Sequence, residues 1–161
     1  MNKNDVFLLL GSNMGNRVAV LQEAVQHIEA RVDLCVARSQ VYETAPWGVL
    51  EQPAFLNQVV HLQTIWHPID ILERILKIEK TMGRQRHERW GARLIDIDLL
   101  YCGNVVLKMA DLVVPHPHLH QRRFTLVPLA EIAPDFVHPV CKKNNQELLH
   151  ICTDVSEVFV Y

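Results

Sequence analysis

The order of the predicted elements (strand, helix, strand, strand, helix, strand) indicates an α+β protein with a ferredoxin-like sandwich fold. In this fold, helices cover one face of a mostly antiparallel sheet and leave the other face free for an active site. The chain has 161 residues, of which 49% are hydrophobic and 21% charged, so it can bury the core of one such domain. We expect a single domain over residues 1–161.

The first half of the pattern is a strand, a helix and a second strand. Residues 6–10 are an apolar run of strand length, followed by a turn over residues 12–16. Apolar residues then recur at helical spacing from 18 to 32, and Asn16 is placed to cap this helix. Residues 34–42 are predicted to form the next strand.

The second half begins with residues 55–64, whose alternating character predicts a strand. A second helix is expected from His67 and Pro68 to Met82, because proline favours the first turn and Gly83 favours a C-terminal stop. The remaining predicted elements are a strand at 95–101, a short strand at 105–107, a short helix at 146–152 and a final strand at 155–160.

Composition limits the class of protein. The four cysteines are far apart and form no C-x-x-C pair, which favours reduced thiols in a cytoplasmic setting. No apolar run approaches the length of a membrane span, and the polar start does not resemble a signal peptide. A formal net charge of -2 argues against a nucleic-acid partner.

Two aspartates lie at alternate positions of the predicted strand at 95–101. Asp96 and Asp98 therefore point to one face, while Ile95, Ile97 and Leu99 point to the other. Adjacent carboxylates repel each other, and a hard cation such as Mg²⁺ with phosphate oxygens relieves this repulsion. The alternative is a solvated strand face.

Arginine is concentrated immediately before this strand, within residues 84–93. Guanidinium groups that neutralise phosphate charge beside a carboxylate-held metal are typical of phosphoryl transfer. The combination favours a metal and phosphate site, and the four arginines concerned are Arg84, Arg86, Arg89 and Arg93.

Phe55 and Asn57 share one face of the strand at 55–64. An exposed aromatic ring beside an amide can stack on a flat heterocycle and hydrogen-bond to it. The alternative is a core phenylalanine with an asparagine near a turn.

Residues 115–124 contain three alternating histidines, His116, His118 and His120, followed by Arg122. A zinc site is one interpretation, although no cysteine lies nearby to support it. Phosphate contacts from His116 and Arg122 are the favoured functional interpretation, and a histidine-rich surface loop is the other alternative.

Glu79 falls on the core-facing stripe of the second predicted helix, so its carboxylate should have a partner. The first hypothesis is a structural ion pair with an arginine. The second is a supporting role beside the metal site.

The run GRQRHERWGARLIDIDLL at residues 83–100 resembles the signature of the 6-hydroxymethyl-7,8-dihydropterin pyrophosphokinase family. Shorter matches occur in the family's order at residues 10–13 (LGSN), 42–48 (YETAPWG), 52–57 (QPAFLN) and 115–124. Together they span residues 8 to about 135, and the resemblance is weak beyond that point.

The resemblance implies that ATP donates its β,γ-diphosphate to the hydroxymethyl group of the dihydropterin in folate biosynthesis, leaving AMP. Asp96 and Asp98 would hold two Mg²⁺ ions, and Arg84 and Arg93 would act in catalysis. The implied ATP-binding residues are Arg84, Arg86, Arg89, Trp90, Arg93, His116 and Arg122. The implied pterin-binding residues are Thr44, Pro46, Trp47, Phe55, Asn57, Trp90 and Phe124. The expected partners are these small molecules only, and the chain is expected to be a monomer.

Two rival interpretations use a similar sheet. A polymerase-like nucleotidyltransferase also places paired aspartates on it, but would need further domains to hold a template. An RNA-binding module would need a basic sheet face with aromatic stacking positions, and Asp96 and Asp98 argue against that.

Overall fold

The computed structural model describes residues 2–45, 51, 53–83 and 94–161. Within these ranges the chain forms strands and α-helices in the order β1 (Asn4–Ser12), α1 (Arg17–Arg31), β2 (Cys35–Arg38), β3 (Tyr42–Thr44), β4 (Phe55–Thr64), α2 (Pro68–Thr81), β5 (Asp96–Cys102), β6 (Leu107–Lys108), β7 (Val113–Val114), α3 (Arg123–Ile132), α4 (Asn145–Ile151) and β8 (Val158–Val160). A short 3-10 helix, Leu119–Gln121, precedes α3.

The main sheet has the strand order β5-β1-β4-β3-β8, and β2 also pairs with β4. Every one of these pairings is antiparallel. Strands β6 and β7 form a separate two-stranded ribbon. The architecture is therefore the predicted α+β sandwich on a mostly antiparallel sheet.

The central strand β1 is buried on both faces, because alternate residues enter two different cores. Leu8 and Leu10 pack with α1 and α2 residues such as Ile28 and Ile75 in the first core. Phe7 and Leu9 point the other way and pack with Leu126 and Leu129 of α3 and Leu148 of α4 in the second core. A continuous apolar run at residues 6–10 is what a strand covered on both sides requires.

Helices α1 and α2 cover one face, as expected. Helices α3 and α4 cover part of the opposite face, so the predicted site shares that face with a second core. Helix α3 was not predicted, because Pro128 lies inside it and proline supplies no N–H for a helical hydrogen bond. Burial of Leu126 and Leu129 favours the helix despite this loss.

The predicted helix boundaries are confirmed. Asn16 caps α1 by accepting a hydrogen bond from the Ala19 N–H at 3.1 Å. Helix α2 begins at Pro68, and Gly83 follows its end with a φ of 80°, a conformation that favours glycine.

The predicted strand over 34–42 is instead divided into β2 and β3. The break occurs at Ser39, whose N–H donates to the Val59 carbonyl while its hydroxyl accepts from the Val59 N–H. The final strand β8 is also shorter than predicted, since Asp154 and Ser156 form a hydrogen-bonded turn before it.

All four cysteines are free thiols, as predicted. None of the helices in the described ranges has the length and apolar character needed to cross a membrane.

Candidate active site

A cavity of about 710 Å³ opens on the sheet face opposite α1 and α2, in the part of that face that α3 and α4 leave uncovered. Strands β1, β3, β4 and β5 contribute to its floor, and the start of α3 and the C-terminal segment form its walls. Seven of the residues predicted from sequence line it together: Thr44, Phe55, Asn57, Asp96, Asp98, Arg122 and Phe124. The structure thus brings the acidic pair and the predicted ring-binding residues into one cavity.

Asp96 and Asp98 occupy alternate, half-buried positions of β5 and face this cavity. Ile97 between the two aspartates, and Ile95 and Leu99 on either side of them, are buried in the first core. The predicted division of this strand into an apolar face and an acidic face is therefore correct.

Glu79 is buried, with 5% of its surface exposed, and supports the acidic strand through the backbone. One carboxylate oxygen accepts a hydrogen bond from the Ile97 N–H at 2.9 Å. Strand β5 lies at the sheet edge, so alternate N–H groups point away from β1 and need another acceptor. Glu79 supplies that acceptor at the residue between the two aspartates.

We expect Glu79→Ala to lower the free energy of unfolding by roughly 1–3 kcal/mol, because the buried Ile97 N–H loses its acceptor. Glu79→Gln keeps an amide oxygen at this position and should lose less. Thermal or urea unfolding measures the difference. Equal losses for both variants would show that the charge of Glu79, not its hydrogen bond to Ile97, dominates.

Gly11 lies on β1, between the part of the cavity floor that β4 forms and the part that β5 forms. In the sheet register it stands opposite Asn57 on β4 and opposite Asp96 on β5. A Cβ atom added at Gly11 would lie 2.8 Å from the Asn57 side-chain oxygen, so the absence of a side chain here leaves room for that amide. Sequence reasoning assigned Gly11 no role, although a glycine within a strand is a signal for close approach.

Asn57 is buried, and its side-chain N–H donates to the Thr44 hydroxyl at 3.2 Å. This bond joins β4 to β3 on the cavity side and fixes the orientation of the amide. Phe55 is two residues away on the same face and also lines the cavity. The expectation that Phe55 and Asn57 share a face is correct.

His116 lies near Arg122, and its side chain is held in the neutral state. Burial, together with the positive charges of Arg122 and His118, lowers the pKa of His116 to about 4. Its Nδ1 accepts from the His118 N–H at 3.2 Å, so the neutral ring carries its proton on Nε2. His116 is not among the residues that line the cavity.

Arg122 enters the cavity beside the acidic pair. Burial lowers the pKa of Arg122, whereas the negative charge of Asp98 raises it. Its guanidinium carbon also lies 5.7 Å from the centre of the Phe124 ring. Arg122 is therefore placed to balance charge next to Asp98 and to contact an anion in the cavity.

The three alternating histidines do not converge on one point. His120 instead approaches His138 and Cys141, with possible ligand atoms within 4.8 Å of one another. The Nδ1 atom of His138 accepts from the N–H groups of Val140 and Cys141, so its proton is on Nε2. A metal-binding histidine needs a free lone pair and donates through its other nitrogen, so this cluster does not suit a metal.

Several cavity residues were missed by sequence reasoning. Most come from two segments distant from the acidic pair, the 3-10 helix and the residues before β8, and their positions depend on how the chain returns to the sheet. The missed residues from these two segments are Gln121, Thr153, Asp154 and Ser156, and Leu9, Gly11 and Ala45 of the sheet side were missed as well. His118, which the sequence offered only as a candidate zinc ligand, also lines the cavity. Predicted site residues that lie outside the described ranges are Pro46, Trp47, Arg84, Arg86, Arg89, Trp90 and Arg93.

The chain matches a known family over most of its length. The family model described as 7,8-dihydro-6-hydroxymethylpterin-pyrophosphokinase (HPPK) matches residues 7–134. The chain belongs to this family.

Individual relatives agree with this assignment. The chain is 47% identical over 132 residues to a 2-amino-4-hydroxy-6-hydroxymethyldihydropteridine pyrophosphokinase of Methylorubrum extorquens, covering 81% of this chain and 84% of the relative. It is 39% identical over 142 residues to the protein of the same name from Aquifex aeolicus, covering 88% of each.

A solved HPPK-DHPS structure from Plasmodium falciparum has a similar fold, with a TM-score of 0.74 and 18% sequence identity. The similarity covers 91% of this chain and 43% of that one, so this chain spans less than half of the solved protein. At this identity the likeness concerns the fold, and it confirms the predicted ferredoxin-like class.

Proposed function

We propose that this chain is an ATP-dependent pyrophosphokinase of folate biosynthesis. It transfers the β,γ-diphosphate of ATP to the hydroxymethyl group of 6-hydroxymethyl-7,8-dihydropterin and releases AMP. The observation that carries the proposal is the single cavity in which Asp96 and Asp98 lie with Phe55, Asn57 and Phe124. One part of the cavity suits polyphosphate and cations, and the other suits a flat polar ring.

The bond changes define what the site must do. The hydroxymethyl oxygen forms a bond to the β-phosphorus, and the bond from that phosphorus to the oxygen bridging to the α-phosphorus breaks. The hydroxyl proton is lost, and AMP leaves with the bridging oxygen. Catalysis therefore requires that the two substrates be held in line and that charge on the phosphates be balanced.

The part of the cavity that Phe55, Asn57 and Phe124 line suits stacking on a flat ring and hydrogen bonding to the edge of that ring. We propose that Phe55 and Phe124 hold the ring between them, since flat rings gain from aromatic contact. Asn57, oriented by its bond to Thr44, would hydrogen-bond to the polar edge of the ring. The contacts proposed above for Pro46, Trp47 and Trp90 come from the sequence alone.

The acidic half suits Mg²⁺, because two carboxylates on one strand face a polar cavity and are the hard oxygen ligands that this ion prefers. We propose that Asp96 and Asp98 hold two ions, which when bound would neutralise phosphate charge. Glu79 keeps β5 in place beneath them, and Arg122 and His116 would contact the nucleotide phosphates. Arg84, Arg86, Arg89 and Arg93 are proposed as further ATP contacts from the sequence resemblance.

We further propose that residues 1–161 act as one monomeric domain in the cytoplasm. Four free thiols support a reducing compartment. A formal net charge of -2 supports small-molecule partners over nucleic acid.

The expected product is AMP and not ADP, because the proposed attack is at the β-phosphorus. Chromatography of the purified protein with ATP, Mg²⁺ and the hydroxymethyl-dihydropterin measures this, and a reaction without pterin is the control. Activity should disappear with EDTA and return with excess Mg²⁺. ADP as the sole nucleotide product would contradict the proposal.

A further inference from the structure

The segment before β8 lines the cavity although the family model ends at residue 134. Its central residue is Asp154, which contacts the beginning of α3. We propose that Asp154 is a positioning residue for the pterin site, which fixes the first turn of α3 and thereby the ring of Phe124. This inference rests on the proposed function, since it concerns binding of the pterin.

Helix α3 begins without a cap of its own. Arg122 stands at the N-cap position and makes no side-chain capping hydrogen bond, and the first turn contains no acidic residue. The first N–H groups of a helix need acceptors, and a negative charge at that end is favourable. Asp154 meets both needs, because its carboxylate accepts from the Arg123 N–H at 2.9 Å.

Asp154 is itself held in place and ionised. Its second carboxylate oxygen accepts from the N–H and the hydroxyl of Ser156. Burial alone would raise the pKa of Asp154, but the hydrogen bonds from Ser156 and Arg123 outweigh burial and lower it. The carboxylate is therefore a fixed negative group at the start of α3.

The same segment is tied to the opposite wall of the cavity. Strand β8 starts at Val158, which pairs with Thr44 on β3, and Thr44 accepts the hydrogen bond from Asn57. Asp154 therefore joins the wall that carries Phe124 to the strand that carries Thr44. In this way the segment before β8 sets the position of the start of α3 relative to β3.

The position of Phe124 depends on this contact more than the position of Arg122 does. Phe124 is the second residue of α3, so loss of the cap would let its backbone leave the helical conformation part of the time. A stacked ring tolerates little displacement, whereas the long Arg122 side chain can adjust through several bonds. Phe55 lies on β4 and should keep its place.

The test compares Asp154→Ala with Asp154→Asn and with Glu157→Gln, which changes an exposed tail carboxylate as a control. In Asp154→Ala the KM for the pterin should rise roughly three- to tenfold, the size expected when a helix cap is lost and the binding-competent fraction falls. The KM for ATP should change less. Asp154→Asn retains an acceptor oxygen and should recover most of the pterin affinity, and Glu157→Gln should resemble the parent.

Hydrogen exchange without ligands provides a readout that does not depend on activity. The Thr125 and Leu126 N–H groups bond to the Arg122 carbonyl in the first turn of α3, and they should exchange faster in Asp154→Ala. Faster exchange throughout the core, with equal changes in both KM values, would show a general structural role and overturn the proposal. Unchanged exchange with an unchanged pterin KM would overturn it as well. If the parent protein makes no AMP, the proposed function fails, and the exchange result still reports on the cap.

Discussion

Replacing either aspartate of the acidic pair is expected to lower turnover by roughly a thousandfold, or about 4 kcal/mol in activation free energy. Asp96→Ala and Asp98→Ala each remove a proposed metal ligand from a cavity wall. Neither change removes an apolar core residue, because the neighbouring Ile97 and Leu99 pack in the first core on the other face of β5. The melting temperature should therefore stay close to that of the parent.

Steady-state kinetics at saturating Mg²⁺ and a thermal melt measure the two effects separately. Asp111→Ala is a matched control, since it removes an exposed aspartate elsewhere on the chain and should leave both quantities unchanged. Asp96→Asn and Asp98→Asn test charge at nearly constant shape. A folded Asp96 or Asp98 variant with a near-normal rate would rule out the proposed role in metal binding.

The parts of the fold that were predicted correctly are those set by local periodicity and caps. Helices α1 and α2 follow from apolar spacing, the Asn16 cap and the flanking Pro68 and Gly83. Helix α3 could not be identified in this way, because Pro128 breaks the local pattern and the helix depends on burial against the sheet. Local preference was overridden by tertiary packing.

The same distinction applies to the site. Strand alternation alone places Asp96 with Asp98, and Phe55 with Asn57, because side chains two apart in a strand share a face. The contact of Asp154 with the start of α3 could not be predicted, since it joins residues 31 positions apart through a backbone group. The hydrogen bond from the Ile97 N–H to Glu79 could not be predicted for the same reason, because a backbone N–H carries no side-chain signal. The ion pair of Glu79 with an arginine stays a prediction.

Gly11→Ala is expected to raise the KM for the pterin by roughly ten- to a hundredfold, or about 1.4–2.8 kcal/mol. The new methyl group would lie 2.8 Å from the Asn57 side-chain oxygen, a distance that real Cβ atoms do not tolerate. Strand β1 cannot move away easily, because it is paired with β4 and β5 on both sides. The Asn57 amide must therefore rotate, which breaks its hydrogen bond to Thr44. The rotated amide is then misaligned for its proposed hydrogen bonds to the pterin edge.

A double-mutant cycle with Asn57→Ala identifies the cause of this loss. Asn57→Ala removes the atom that the new methyl group would strike, so Gly11→Ala should cost little more when Asn57 is already alanine. Ser12→Ala is the control, because it changes the next residue of β1, which faces away from the cavity. Pterin titration of the four proteins and of the control measures the coupling. If the two losses simply add, the methyl group acts on the ligand directly and not through Asn57, and the proposed link between Gly11 and ring recognition would be wrong.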